Sequence, residues 1–155
     1  MCSSDLCSAG TGLGIAGMVA LDGGWRPFAS EGGHIDYGPR DTDEDALLLW
    51  LRERHPEWGH VSAERVVSGP GIHAIWQFVT QTGRATATPE LLAAMAAGDP
   101  SAAISDAALA DADVSAALTL ELFCRAYGAQ AEIGEHTSEL QSHSDLVCRL
   151  LLEKK

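Results

Sequence analysis

Ser30-Glu31-Gly32-Gly33-His34-Ile35-Asp36-Tyr37-Gly38-Pro39 sets a carboxylate and an imidazole on either side of two glycines. Paired glycines let the backbone bend sharply enough to aim both side chains at one small polar ligand. A carboxylate accepts from two hydroxyls, and an imidazole donates to or accepts from a third, which suits the vicinal diols of a sugar. Each charge-assisted hydrogen bond contributes on the order of 1.5–3 kcal/mol, so two or three decide which epimer binds. Taken alone, the same residues also describe a solvated loop Glu with a His packed beneath it.

Two further stretches carry polar chemistry. Upstream, Ala9-Gly10-Thr11-Gly12-Leu13-Gly14 offers consecutive backbone N–H groups and the Thr11 hydroxyl to a phosphate. It lacks the Gly-Lys-Ser/Thr ending of a Walker A loop. Gly12-Leu13-Gly14-Ile15-Ala16-Gly17 matches GxGxxG by letter, but a dinucleotide fingerprint follows a strand and opens a helix, whereas this one leads into an apolar, β-rich run. A plain turn before a buried strand reads it equally well. Downstream, Ser62-Ala63-Glu64-Arg65 places a third carboxylate, Glu64, on a short helix, where such groups are commonly just solvated. His55, His60 and His73 show no ligand-like spacing and are read as structural. The tryptophans, at 25, 50, 58 and 76, fall at core-like positions, with nothing to support sugar stacking by Trp25.

The elements that must position these groups follow from the apolar pattern. Ile15 to Leu21 reads as a buried strand, Asp22-Gly23-Gly24 as a turn, and Trp25 to Ala29 as a returning strand kept to an edge by Pro27. Asp41 then caps a helix over about 43–55, its acidic first turn suiting the helix dipole rather than a metal. Ser62 opens a short helix that Ser68-Gly69-Pro70-Gly71 breaks. The next helix starts near Gly71, carries Ile72, Ile75, Trp76 and Val79 on one stripe, and ends near Gly83. Thr88-Pro89 caps another that stops at Gly98, and Pro100–Leu109 and Val114–Ala131 complete an alanine-rich helical half. The expected fold class is α/β, one β-hairpin followed by a mostly helical half, with most of its sheet supplied from elsewhere.

Composition narrows the function classes. A net charge of −12 over 155 residues argues against nucleic acid and against an anionic membrane. No apolar run approaches the roughly 18 residues of a membrane span, and no signal core opens the chain, so a cytoplasmic protein is expected. The four cysteines, at 2, 7, 124 and 148, form no CxxC pair and are read as free thiols.

The two ends differ from the middle. Lysine is absent from the first 153 residues, and Lys154-Lys155 then closes the chain. Glu135-His136-Thr137-Ser138-Glu139-Leu140-Gln141-Ser142-His143 and the residues after it resemble the translation of a sequencing-library adapter followed by an A-rich run. Met1-Cys2-Ser3-Ser4-Asp5-Leu6 resembles the same adapter read from the other strand. Residues 1–6 and 132–155 are therefore set apart from 7–131. The other reading of the tail is an amphipathic helix carrying Leu146, Val147, Leu150 and Leu151.

Taken together, AGTGLG, a hairpin, EGGHIDYGP, an acid-capped helix and Gly59-His60-Val61-Ser62-Ala63-Glu64-Arg65-Val66-Val67-Ser68-Gly69-Pro70-Gly71 resemble the bacterial glucokinase family over about residues 8–131. EGGH and HVSAERxxSGPG in this order are specific to that family, whereas GTGLG marks the wider sugar-kinase, heat-shock ATPase and actin fold. The resemblance implies a partial actin-like, ribonuclease H-like sugar-kinase fold, with 7–131 a fragment of the large C-terminal domain. It also implies ATP-dependent phosphorylation of the glucose 6-hydroxyl with Mg2+, and a parent that is a candidate homodimer. Glu31, His34 and Glu64 correspond to the residues that hold glucose, and Gly10, Thr11 and Gly12 to the second phosphate loop near ATP. Phe123-Cys124-Arg125-Ala126-Tyr127-Gly128 matches the helix before the adenosine-binding part. The family's first phosphate loop, its Asn-Asp pair with the catalytic base, and its adenosine motif have no counterpart here, so the chain itself is expected to be inactive. Two other readings are a non-catalytic sugar-binding module or regulator, and a dinucleotide-binding enzyme resting on GxGxxG.

Overall fold

The computed structural model describes residues 3–21 and 23–134. Strands β1 (Ser3–Ala9), β2 (Leu13–Leu21) and β3 (Gly24–Ser30) come first. Helices α1 (Thr42–Arg54), α2 (Ala63–Val66), α3 (Gly69–Gln81), α4 (Pro89–Ala97), α5 (Pro100–Leu109) and α6 (Val114–Gly134) follow. The expected order, β and then α, holds. The tail beyond 134, with the adapter-like or helical reading given to it, lies outside the described residues.

The expected hairpin is β2–β3, and β1 extends it to an antiparallel sheet in the order β1-β2-β3. Ser3–Leu6, which the sequence sets apart with the adapter-like ends, pair with Ala16–Val19 of β2. Gly23, at φ 91°, supplies the left-handed turn between β2 and β3. Pro27 lies on an edge strand opposite Met18, as a residue without an N–H must. Cys7, Ala9, Leu13 and Ile15 share the sheet face that meets the helices. α6 packs behind β1, and the Tyr127 hydroxyl donates to the Cys7 carbonyl at 3.0 Å. Cys7 is a free thiol, and burial pushes it above its ordinary pKa.

Two apolar clusters hold the helices. Leu47 and Leu51 of α1, Val66 of α2, Ile75, Phe78 and Val79 of α3, and Phe123 and Ala126 of α6 form the larger one. Each large side chain buried there contributes about 1.5–3 kcal/mol. Leu91, Ile104 and Ala116 make the second, and Ile72 and Trp76 pack against it from α3. Trp25, read as core-like from sequence, is instead 47% exposed on β3, because that strand forms one edge of the sheet and all its residues lie outside the helical core.

Helix caps explain most boundaries. Asp41 accepts from the N–H groups of Asp43 and Glu44, Thr88 from Leu91, and Asp99 from Ser101. α3 begins at Gly69, two residues before Gly71, because the Ser68 side chain accepts the Gly71 N–H and closes the first turn. Ser62 precedes α2 but makes no side-chain cap bond. Asp113 ties the start of α6 to the cap of α4: its carboxylate accepts the Thr88 N–H at 2.7 Å, the Ala116 N–H at 2.9 Å and the Ser115 hydroxyl. The Trp76 indole donates to that same hydroxyl at 3.0 Å. Among the described residues, no helix is long and apolar enough to cross a membrane.

Candidate functional site

The site begins with the Glu31 loop. A single 3-10 turn, Gly32–His34, follows β3, and the His34 N–H donates back to the Glu31 carbonyl at 2.9 Å. Gly33 is buried with its Cα against the Leu13 carbonyl, so any side chain there would collide with backbone. Beyond the turn, Asp36 pairs with Ser62 as an isolated antiparallel bridge. The Tyr37 N–H donates to Val61 and the Ala63 N–H to Ile35, each at 2.8 Å. These bonds fix the loop to the start of α2, which carries Glu64.

The sequence-predicted sugar residues meet. His34 Nε2 stands 3.5 Å from Glu31 Oε2, and His34 Nδ1 stands 3.9 Å from Glu64 Oε1. The Glu31 and His34 side chains are open to solvent, whereas Glu64 is two-thirds covered. His60, read as structural, supports the loop from behind by donating Nε2–H to the His34 carbonyl at 3.3 Å. The arrangement is an imidazole between two carboxylates, open on one side. It offers acceptors for several hydroxyls and one group that can either donate or accept.

The glycine-rich turn lies against the same residues. Gly10 N–H donates to the Gly12 carbonyl at 2.8 Å, and the Gly69 N–H at the start of α3 donates to the Gly10 carbonyl at 2.7 Å. The Leu13 N–H donates to Glu64 Oε2 at 3.1 Å. GxGxxG here runs into β2 and opens no helix, which removes the dinucleotide geometry. Nothing lies within 4 Å of the place a Gly10 Cβ would occupy. That face of the turn is therefore open, whereas the Gly12 side is filled by Glu64.

Thr11 and Glu64 also line a cleft of about 240 Å³ with Trp58, Arg65, Ser68 and His73. Trp58 stacks flat on His55 at 3.9 Å, and the Arg65 guanidinium covers its ring at 4.5 Å. Burial holds His73 below its ordinary pKa, with Asp99 pulling weakly the other way. Sequence reading passed over Trp58 and Arg65 as site neighbours. The signal was available in the adjacency of Arg65 to Glu64, but the chain between Trp58 and α2 is not helical and turns at Gly59, φ 72°, so no periodicity links Trp58 to Arg65.

Behind the loop, Tyr37 is buried with its hydroxyl near, but not hydrogen-bonded to, the Glu44 carboxylate. Burial and then the Glu44 charge push the phenol far above its ordinary pKa. Glu44 itself accepts the Arg40 N–H at 2.9 Å, so it braces the backbone between the loop and α1.

The glucokinase family profile matches residues 3–134. A glucokinase from Nostoc sp. is 41% identical over 137 residues, covering 81% of this chain and 40% of its own. One from Yersinia enterocolitica is 42% identical over 117 residues, covering 75% and 32%. Among solved structures, a glucokinase from an Antarctic psychrotroph aligns with TM-score 0.61 at 31% identity, over 83% of this chain and 40% of that one. The Balamuthia mandrillaris glucokinase, solved in complex with glucose, gives TM-score 0.72 at 23% identity over 97% and 43%, a likeness of fold. The chain thus spans about 40% or less of the length of these curated relatives.

Proposed function

We propose that this chain, which belongs to the glucokinase family, carries the glucose-recognition part of a cytoplasmic enzyme that phosphorylates the glucose 6-hydroxyl. The observation that carries the reading is the convergence of Glu31, His34 and Glu64 from two separate segments on one open polar site. The carboxylates accept hydrogen bonds from sugar hydroxyls, and His34 fixes their spacing and adds one donor or acceptor. Partial cover on Glu64 strengthens its hydrogen bonds relative to open water. Gly10, Thr11 and Gly12 would hold a phosphate of ATP, which supplies the phosphoryl group with Mg2+ in the complete protein.

The 155-residue chain is expected to bind glucose without turning it over. The sequence contains no counterpart of the family's Asn-Asp pair, and phosphoryl transfer depends chiefly on positioned reactants and charge. Isothermal titration with glucose, and with Glu31→Ala and Glu64→Ala, tests the binding. Saturable heat that both substitutions abolish supports the reading, and heat unchanged by either overturns it. Incubation with glucose, ATP and magnesium should leave glucose 6-phosphate undetected. Turnover at an ordinary kinase rate would refute the inactivity. A sugar-binding module or regulator would give the same titration but would have no active longer form, so assaying a longer reading frame separates the two.

A further inference from the structure

The Leu13 backbone meets Glu64 at its N–H and the loop that carries Glu31 and His34 at its carbonyl. Its N–H donates to Glu64 Oε2 at 3.1 Å, across 51 residues of sequence. Its carbonyl lies against Gly33, at the centre of the Glu31–His34 loop, where a Cβ would overlap it. Gly12, the preceding residue, is just as tightly placed: a Cβ there would stand 2.5 Å from Glu64 Oε2 and 3.1 Å from Glu64 Cδ. The Gly33 approach admits no side chain, the Gly12 approach admits one only if Glu64 moves, and both bring the glycine-rich turn onto the carboxylate and loop of the sugar site.

We propose that the Gly12–Leu13 peptide is a positioning element for the sugar site, so that this turn sets glucose affinity as well as any affinity for phosphate. The inference rests on the glucose reading above and deepens it. A carboxylate on a short helix has several rotamers, and in the one adopted here Oε1 lies 3.9 Å from His34 Nδ1. The Leu13 N–H takes Oε2 and selects that rotamer, while the missing Cβ at Gly12 leaves room for it. Because the obstructed atom is the free end of a flexible side chain, an alanine at 12 is accommodated by moving Glu64 rather than by unfolding the turn. A ligand that shifts this peptide would alter sugar affinity, and sugar would alter affinity for that ligand by the same factor.

The test compares Gly12→Ala with Gly14→Ala in the full 155-residue chain. Gly14 is two residues along, where a Cβ meets only the Ser8 carbonyl at an ordinary 3.8 Å. Gly12→Ala should weaken glucose binding by about tenfold or more, the loss expected when a charge-assisted hydrogen bond is misplaced. Gly14→Ala should stay within about twofold of the parent, the range of an ordinary surface change. Equal glucose affinity for Gly12→Ala and the parent overturns the proposal. A second readout needs no sugar: in an amide NMR spectrum, Glu64→Gln should move the Leu13 resonance in the parent and in Gly14→Ala, but not in Gly12→Ala. An equal shift in all three overturns the positioning role. Absence of glucose binding by the parent would refute the sugar reading alone, and the Leu13 resonance would still decide whether the turn positions Glu64.

Discussion

Glu31 Oε2 and His34 Nε2 lie 3.5 Å apart although both side chains face solvent, 91% and 61% exposed. An ion pair so open contributes little to folding, since water and salt screen it. Glu31→Ala should therefore leave stability within about 0.5 kcal/mol of the parent while weakening glucose binding by roughly tenfold or more. Thermal denaturation and titration on the same samples check both halves. A large drop in melting temperature would show that the residue is structural.

Asp113 should behave in the opposite way. Burial raises its carboxyl, but hydrogen bonds from the Ser115 hydroxyl, from the Thr88 and Ala116 N–H groups and from the Thr88 hydroxyl outweigh this and hold it at about 2. The folded value lies below the ordinary 3.8, so its contribution, about 2 kcal/mol, is complete above that pH and is lost as pH falls toward 2. Asp113→Asn should destabilise the chain at pH 7 and flatten the acid limb of its stability curve. Denaturant titrations between pH 2 and 7 read this out.

Gly71 sits where α2 gives way to α3, and a Cβ there would overlap the Val66 carbonyl. Here the obstacle is backbone, which cannot swing aside as the end of Glu64 can. Gly71→Ala should cost about 2–3 kcal/mol and, because Glu64 lies on α2, should also impair sugar binding. Urea unfolding checks the first effect and calorimetry the second.

Caps that look alike in sequence differ in the folded chain. Asp41 accepts two N–H groups of α1 and also pairs with Arg125 at 2.7 Å, whereas Ser62 makes no side-chain cap bond to α2. Asp41→Ala should cost about 1 kcal/mol, and Ser62→Ala clearly less. Parallel denaturation curves of the two variants decide this.

Local chemistry made the helices legible. Asp41, Thr88-Pro89 and Asp99-Pro100 mark their starts, because a cap is a short-range bond between neighbours in sequence. Glu31 and His34 were legible for the same reason, lying three residues apart around two glycines. Glu64 joined them only through the resemblance, since its approach to His34 depends on the Asp36–Ser62 bridge, a pairing across 26 residues. The contact between Leu13 and Glu64 was not legible, because it follows from how β2 lies against α2 and leaves no periodic trace. β1 was not legible as a strand, because Ser3–Leu6 share the adapter-like texture of the N-terminal end. The exposure of Trp25 was missed because an edge position does not alter local alternation.

Pro27 bears on how copies of this chain meet one another. All seven residues of β3 are exposed, and among the described residues its outer side pairs with no strand. Such an open row of N–H and C=O groups can template the addition of another chain. Pro27 pairs with Met18 near the middle of this strand and can only be accommodated with its nitrogen turned away from β2, so the outer row lacks a rung at its centre. Restoring that rung with Pro27→Val should raise the sedimenting oligomer fraction with concentration, and an unchanged profile would mean the proline does not restrain self-assembly. One imino acid thereby acts as a solubility safeguard for a strand that also carries Trp25 and Phe28 into solvent.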